Sequence, residues 1–440
     1  MTLAPGMPRL LHLTPEQREI VEWTGGPLMV LAGAGTGKTT VIVERVRWLL
    51  ESDPDLAPEN VLVLTYNVKA AQELTDRFAR RLGAERAGRL TAANFHTFGY
   101  RILRDHGAEI GLPEDVEVLD GVGQRLLLLD IRHALDLRYH VWGDDPSRLV
   151  SDFAAIVSRA KDELVTPEMY RAFADERRAA FDDAGGAGSY AEALESMLER
   201  GMLKPARDVR SALGKETFHR EARKVARRIV RGDGIPGSEG DLTPVQRVEV
   251  DGLTPTLERD AAALEVLRIA EEADVYAAYQ AELGRRGALD FGEQIHLAIH
   301  LLESRPNILR ELQRRYRHVL VDEFQDANIA QIRLVELIGR APDRPDQVVV
   351  VGDDDQSIYR FRGASFAAFR QFEERFSRPP DFAPDRHAPP VERRPLLLNR
   401  RSVGRVLSAA SRLIAVNPER LKAGQGPLLP SRAPGEPVEL

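Results

Sequence analysis

The sequence predicts an α/β fold in which a parallel β-sheet carries helices on both faces and is interrupted by a large all-helical insertion. Short apolar runs alternate with amphipathic segments in residues 1–105 and again in 286–378, and strands that alternate with helices form parallel sheets. Between them, residues 106–285 contain long segments rich in alanine, arginine and glutamate, without buried strands. A chain of 440 residues exceeds one compact core, so two or three domains are expected.

Composition limits the classes of protein that fit the chain. No stretch approaches the roughly 20 uncharged apolar residues of a membrane-spanning helix, and residues 1–13 lack the features of a secretory signal. We therefore expect a cytoplasmic protein without a membrane partner. The absence of cysteine excludes disulfides, thiolate zinc sites and cysteine nucleophiles. The net charge of -7 does not exclude a nucleic-acid partner, because such binding depends on a local basic surface.

The first predicted strand, residues 27–31, and the first long predicted helix, residues 41–50, enclose a glycine-rich turn. The turn reads Ala32-Gly33-Ala34-Gly35-Thr36-Gly37-Lys38-Thr39-Thr40. It matches the phosphate-binding pattern G-x-x-x-x-G-K-[ST], except that Ala32 replaces the first glycine. We expect its N–H groups to bind a polyphosphate, Lys38 to reach the β- and γ-phosphates, and Thr39 to hold Mg²⁺. The strand-loop-helix context disfavours the alternative, a turn that binds nothing.

Thr14 precedes a predicted helix as its N-cap. Pro15 occupies the first helical position and Gln17 the capping-box position. Two roles for Gln17 stay open: a capping residue alone, or an amide that also reads the edge of an adenine, because it lies just upstream of the glycine-rich turn.

Two more strands are predicted before the helical region. Residues 60–65 are an apolar run that leads into a helix beginning with polar residues, and residues 90–98 are a short strand that ends in polar and aromatic residues. The carboxyl ends of parallel strands lie at one edge of a sheet. The residues that follow both strands are therefore expected to face the same crevice as the glycine-rich turn.

Two adjacent carboxylates follow the apolar run 318–321. In an enzyme that hydrolyses a nucleoside triphosphate, the first carboxylate at such a strand end holds Mg²⁺ through its water shell. The second orients the attacking water as a general base. Asp322 and Glu323 fit these two roles, whereas an acidic loop would not explain a buried strand that ends in two charges.

A further strand, residues 347–353, leads into a segment of mixed polar and aromatic character. Gln356 lies near the strand end, where its amide can sense a γ-phosphate. Tyr359 and Phe361 alternate with arginines, including Arg362, and this alternation suits stacking on unpaired bases together with contacts to backbone phosphates. An edge of the aromatic core would explain Tyr359 alone but not the whole alternation.

A proline-rich linker is predicted for residues 378–395, and a new unit is predicted to begin at residues 396–402. Arg401 is a candidate phosphate contact from this second unit.

Together these stretches resemble the UvrD/Rep/PcrA family of superfamily 1 DNA helicases, from residue 13 to about residue 425. The resemblance rests on the ordered set Gln17, AGAGTGKT, TYNVKAA, FHTF, VDEFQDAN, GDDDQSIYRFRGAS and LLLNRRS. It implies a P-loop NTPase (RecA-like) domain that hydrolyses ATP with Mg²⁺. It also implies 3′-to-5′ translocation on single-stranded DNA and strand separation at a junction of single-stranded and duplex DNA. Partner proteins in repair or recombination are not identified by it.

The resemblance also implies roles for individual residues. Gln17 is similar to the adenine reader, and residues 32–40 to the nucleotide-binding loop. Thr39 and Asp322 are similar to the metal ligands. The residues similar to the catalytic group are Lys38, Glu323, Gln356 and Arg401, the last two as γ-phosphate sensors. The residues similar to DNA contacts are Thr65, Phe95, His96, Tyr359, Phe361 and Arg362.

The resemblance divides the chain into domain 1A (1–105 and 286–378), helical subdomain 1B (106–285) and a linker with the start of domain 2A (379–440). Arg400 and Phe361 depart from the family, which usually has tyrosine and tryptophan there. The family's second domain continues beyond such a start and supplies two more motifs, so we expect an N-terminal portion with little unwinding activity alone. The alternatives are an ATP- and DNA-binding module without hydrolysis and a subunit of a helicase-nuclease.

Overall fold

The computed structural model describes residues 13–140, 146–183, 244–357, 368–416, 420–421 and 427–433, with backbone alone at 244–264. The chain divides into two compact units. The first comprises Met1–Val118, Lys161–Leu164 and Leu289–Leu440, and the second comprises Leu119–Ala160 and Val165–Ala288. No helix within the described ranges combines the length and apolar character needed to cross a membrane.

The described strands and helices follow one another in the order below. The strands are β1 Leu28–Ala32, β2 Val61–Thr65, β3 Thr91–Asn94, β4 Glu117–Leu119, β5 Ala288–Asp290, β6 His318–Val321, β7 Val348–Gly352, β8 Glu392–Leu396, β9 Leu398–Asn399 and β10 Leu429–Pro430. The first eight helices are α1 Pro15–Val21, α2 Lys38–Ser52, α3 Val68–Leu82, α4 Ala84–Arg89, α5 Phe95–His106, α6 Gly121–Ile131, α7 Ser147–Asp162 and α8 Pro167–Asp183. The later helices are α9 Pro244–Arg286, α10 Phe291–Ser304, α11 Pro306–Arg315, α12 Ile329–Gly339, α13 Ala368–Phe376 and α14 Gly404–Ile414.

The first unit is built on a six-stranded sheet of order β3-β2-β6-β7-β1-β8. Every neighbouring pair is parallel, with Leu28 opposite Val349 and Leu62 opposite Val319. The parallel sheet with flanking helices that the alternation of strands and helices predicts is therefore confirmed. Parallel strands end at one edge, so the residues after β1, β6 and β7 lie together there.

The strands are apolar on both sides because helices cover both faces of the sheet. In β1, Met29 and Leu31 join one core cluster. The residues between and beside them, Leu28 and Val30, join the cluster on the opposite face. All five residues of β1 are buried, as expected for a strand in the interior of such a sheet.

Helix α1 is tied to α2 through a buried guanidinium. Arg45 of α2 is 1% exposed, and its Nη1 donates to the carbonyl oxygens of Ile20 and Val21 at 3.0 and 3.1 Å. These carbonyls lie in the last turn of α1, where few backbone donors of the helix remain. Burial lowers the pKa of Arg45 to about 10, so the group stays protonated at neutral pH and keeps α1 beside α2.

The linker predicted for residues 378–395 contains most of strand β8, so that part of the prediction is wrong. β8 pairs in parallel with β1 at the edge of the sheet, with Glu392 opposite Leu28. Its sequence includes Arg393, Arg394 and Pro395 and lacks an apolar run, because an edge strand has one free side where charges and proline are tolerated. A search for apolar runs therefore misses it.

The described part of the second unit is mainly helical. Helices α6, α7 and α9 supply most of its core, which includes Leu127, Leu128, Phe153, Val157, Tyr276, Tyr279 and Leu283. Glu271 of α9 accepts hydrogen bonds from the backbone N–H groups of Arg138, Tyr139 and His140, at 2.5 to 2.8 Å. One buried carboxylate thus holds three consecutive peptide groups of a loop within this unit.

Candidate nucleotide-binding site

The glycine-rich turn between β1 and α2 is held in part by its own atoms and in part by α1. The carbonyl oxygen of Gly33 accepts from the N–H and the hydroxyl of Thr36, at 3.3 and 2.8 Å. The carbonyl oxygen of Thr36 accepts from Nε2 of Gln17 at 2.9 Å. A Cβ at Gly37, where φ is +92°, would lie 2.8 Å from that Nε2, so the turn requires glycine there.

The rest of the turn is held by residues 399–401. Nδ2 of Asn399 donates to the carbonyl oxygen of Ala34 at 2.5 Å. The N–H of Arg400 donates to the carbonyl oxygen of Gly35 at 2.9 Å. Oδ1 of Asn399 accepts the N–H of Arg401 at 2.9 Å. Asn399 is fully buried. Asn399 belongs to the stretch LLLNRRS of the family resemblance, but its contact with Ala34 spans more than 360 positions and is seen only in the structure.

All four carbonyl oxygens from Gly33 to Thr36 thus accept hydrogen bonds from protein donors. Helix α2 begins at Lys38 and directs its positive N-terminal end to this turn. The glycine-rich turn is thus held by protein contacts beside the N-terminus of α2, as expected for a site that binds an anion.

Gln17 occupies the capping-box position predicted for it. Its Oε1 accepts the N–H of Thr14 at 3.1 Å, and its own N–H donates to the hydroxyl of Thr14 at 3.2 Å. Because its Nε2 also bonds to Thr36, this side chain joins α1 to the phosphate loop. Its contact with an adenine stays a prediction.

Asp322 and Glu323 follow β6 at the edge of the sheet that carries the loop. The Asp322 side chain is buried, and its Oδ1 accepts the N–H of Glu323 at 2.9 Å. Burial, and next to it repulsion by Glu323, raises the pKa of Asp322 to about 7. The same two causes raise the pKa of Asp326 to about 6. These carboxyl groups lie where a nearby cation would stabilise their charged forms.

Lys38 and Glu323 connect the loop to the end of β6. Nζ of Lys38 forms an ion pair with Oε2 of Glu323. The backbone of Glu323 is left-handed, with φ of +50°. Residues other than glycine adopt this conformation at a cost in free energy. Such conformations persist where neighbouring groups hold them, and they are concentrated at functional sites.

Gln356 lies in the short 3₁₀ helix Asp354–Gln356 after β7. Its Nε2 donates to Oδ2 of Asp353, and its N–H donates to the carbonyl oxygen of Asp353 at 2.9 Å. Asp353 also caps this turn, because its Oδ1 accepts the N–H of Asp355 at 3.2 Å. The structure thus brings Gln356 to the strand edge that carries Glu323.

Arg401 lies against the loop through its backbone. A Cβ at Gly35, where φ is +77°, would lie 2.5 Å from the Cβ of Arg401. The Arg401 side chain is exposed. The structure thus brings Arg401 beside the loop together with Lys38 and Glu323, and its contact with a phosphate stays a prediction.

The predicted DNA contacts differ in their surroundings. Thr65 is fully buried and Phe95 is 2% exposed, and Phe95 belongs to the core cluster. In this conformation neither side chain is available to a ligand, because both are enclosed by the protein. His96 is partly buried, and its Nδ1 lies 2.9 Å from the carbonyl oxygen of Phe291. Tyr359, Phe361 and Arg362 lie outside the described residues.

Phe291 is a surface aromatic residue that is not among the predicted DNA contacts. It is 50% exposed, and its ring meets that of His96 edge to face with 5.9 Å between centroids. In the sequence, an aromatic residue at the first position of α10 fits the ordinary apolar periodicity of a helix. Only its exposure in the structure distinguishes it from a core residue.

The residues of the site fit a bound Mg²⁺. Mg²⁺ prefers oxygen ligands and retains several waters, and the hydroxyl of Thr39 and the carboxylate of Asp322 are oxygen donors. The Asp322 carboxyl group is 5% exposed at the end of β6, and the ion pair between Lys38 and Glu323 joins this strand end to the loop that carries Thr39.

A family comparison matches most of the chain. The model of the UvrD/REP helicase N-terminal domain matches residues 13–230 and 241–377. These ranges include the phosphate loop, Asp322, Glu323 and Gln356.

Comparison with curated proteins gives the same family. The chain is 28% identical to an ATP-dependent DNA helicase PcrA of Leuconostoc citreum, over 92% of this chain and 39% of that protein. It is also 28% identical to proteins of the same name from Staphylococcus aureus strain Mu50 and Staphylococcus epidermidis, over 94% of this chain and 41% of each relative. The chain thus spans about two fifths of the length of these relatives. It belongs to the UvrD/REP helicase family.

Proposed function

We propose that this chain is the ATP-binding portion of an ATP-dependent DNA helicase that moves 3′ to 5′ along single-stranded DNA. One observation carries the proposal. The carbonyl oxygens of residues 33–36 in the phosphate loop all accept hydrogen bonds from the protein. An ion pair between Lys38 and Glu323 joins this loop to the two carboxylates after β6. The family membership and the names of the relatives support helicase activity as the use of this site.

In the proposed reaction, the loop binds the β- and γ-phosphates of ATP and Lys38 turns from Glu323 to them. The departure of Lys38 frees the Glu323 carboxylate to accept a proton from the attacking water. Thr39 and Asp322 would hold Mg²⁺, which would offset the negative charge of the phosphates. Gln356 and Arg401 approach the γ-phosphate from β7 and from the segment after β9.

The DNA strand is proposed to cross the edge of the sheet near His96 and Phe291. Phe291 has an exposed aromatic face, and unpaired bases stack on such faces without regard to sequence. The expected contacts of Tyr359, Phe361 and Arg362 extend this surface. The first compact unit is proposed to correspond to domain 1A with the beginning of domain 2A, and the second unit to subdomain 1B.

The test is ATP hydrolysis by the chain with and without single-stranded DNA. We expect phosphate release to rise when a single-stranded oligonucleotide is added, and to respond weakly to a blunt duplex of the same sequence. Translocation from a labelled 3′ or 5′ end then reports direction. ATP and DNA binding without any hydrolysis would instead support a binding module, the second candidate.

The raised pKa of Asp322 predicts that the Mg²⁺ dependence of nucleotide binding changes with pH. Mg²⁺ binds the charged carboxylate, and a pKa of about 7 means that this form is lost as the pH falls through neutrality. We expect the gain in ATP affinity on adding Mg²⁺ to decrease from pH 8 to pH 6. The measurement is titration with a fluorescent ATP analogue in Mg²⁺ or in EDTA.

Asp322→Asn is the matched control, because it keeps the shape of the side chain and removes its titration. We expect this variant to show a smaller Mg²⁺ gain that changes less with pH than that of the unmodified chain. A gain in the unmodified chain that is constant from pH 6 to pH 8 would contradict the assignment of Asp322.

A further inference from the structure

Gln325 lies two residues after Glu323, in the 3₁₀ helix Phe324–Asp326. It is 3% exposed. A buried primary amide must satisfy both an N–H donor and a carbonyl acceptor, and leaving either without a partner costs stability. Its partners therefore identify which parts of the protein it connects.

The two halves of the Gln325 amide bind different elements. Nε2 donates to Oε2 of Glu323 at 2.9 Å, the same oxygen that forms the ion pair with Lys38. Oε1 accepts the N–H of Asp353, just after β7, also at 2.9 Å. The carbonyl oxygen of Gln325 accepts from the Ser357 hydroxyl at 3.4 Å. Gln325 thus joins the carboxylate after β6 to the turn after β7.

Gly352 gives the amide room at the end of β7. A Cβ at Gly352 would lie 2.3 Å from Oε1 of Gln325 and 3.0 Å from the N–H nitrogen of Phe324. Both distances are shorter than the ordinary van der Waals contacts of a Cβ atom. The φ of Gly352 does not demand glycine, so this residue is required by the close approach of Gln325.

The connection continues from Asp353 to Gln356. Asp353 accepts from both the side-chain amide and the backbone N–H of Gln356. Hydrogen bonds therefore run without interruption from Lys38 through Glu323, Gln325 and Asp353 to Gln356. This line joins the phosphate loop, the carboxylate after β6 and the turn after β7 inside one compact unit.

We propose that Gln325 is a positioning residue for ATP hydrolysis, which holds the general base Glu323 in register with the γ-phosphate-sensing turn 353–356. The inference rests on the proposed function. When Lys38 leaves Glu323 for the phosphates, Gln325 still donates to the carboxylate and keeps the left-handed backbone of Glu323 in place. Glutamine suits this position because glutamate has no N–H donor and would repel Glu323.

The test compares Gln325→Met and Gln325→Glu with the unmodified 440-residue chain. Methionine keeps the volume and removes both hydrogen bonds, whereas glutamate keeps the acceptor and removes the donor. Steady-state ATP hydrolysis with saturating single-stranded DNA gives kcat and KM, and ADP titration reports whether the phosphate loop is intact. We expect Gln325→Met to lower kcat about 10- to 100-fold, with KM and ADP affinity within about twofold. Gln325→Glu should lower kcat at least as much.

Gln331→Met is the matched control. Gln331 is equally buried at 3% exposure, but its Oε1 accepts from Asn328 in the cap of α12, at 3.4 Å. We expect nearly unchanged kcat for this variant.

Three results would contradict the inference in different ways. Full turnover in both Gln325 variants would overturn the positioning role and leave the proposed function intact. A parallel loss of kcat and ADP affinity in both variants would indicate a purely structural role and also overturn it. No ATP turnover by the unmodified chain would overturn the proposed function itself.

Discussion

Glu323→Gln is expected to lower kcat for ATP hydrolysis by about 10²- to 10⁴-fold, the range that a general base contributes. The substitution keeps the shape of the side chain and removes the group that accepts the proton from water. It also removes the charge that pairs with Lys38 in the unliganded protein. ATP affinity should therefore be kept or increased, because Lys38 no longer has to leave a carboxylate to reach the phosphates.

Phosphate release and equilibrium binding of a fluorescent ATP analogue measure these two effects separately. Glu374→Gln is a suitable control, because the side chain of Glu374 is 67% exposed on α13, away from β6. Turnover by Glu323→Gln at the rate of the unmodified chain would show that another group is the base.

Lys38→Ala is expected to reduce kcat/KM for ATP by about 10²- to 10³-fold or more, as loss of one preorganised charge at a transition state does. Lys38 is the first residue of α2 and its side chain is only 10% exposed. It therefore reaches the phosphates from a fixed position. Both ATP affinity and kcat should fall, which distinguishes this variant from Glu323→Gln.

The measurement is the pair of KM and kcat, together with ATP titration. Arg80→Ala, which removes an exposed cation of α3, should leave both constants unchanged. If Lys38→Ala bound and hydrolysed ATP normally, the assignment of residues 32–40 as the phosphate loop would be wrong.

The sequence alone was sufficient for the elements whose pattern is local. Apolar runs in β1, β2, β6 and β7 predict strands because both faces of a parallel sheet are covered, so all of their side chains except the half-buried His318 are buried. The capping box of Thr14 and Gln17 was predictable because its hydrogen bonds join positions three apart. The positions of the glycine-rich turn and of the two carboxylates after β6 were predictable because each of these features lies in one short stretch.

Tertiary structure decided the features that depend on contacts between distant positions. β8 has charges and a proline, and it is a strand only because it lies beside β1 at the sheet edge. The burial of Thr65 and Phe95, and the exposure of Phe291, follow from packing that no motif records. Asn399 bonds to the glycine-rich turn, which lies hundreds of positions away in the chain. Gln325 bonds to the turn after β7, which lies tens of positions away. Residue type and spacing therefore determined the chemistry available at the strand ends. Folding determined which side chains hold those groups in place, because hydrogen bonds depend on distance in space and not on distance along the chain.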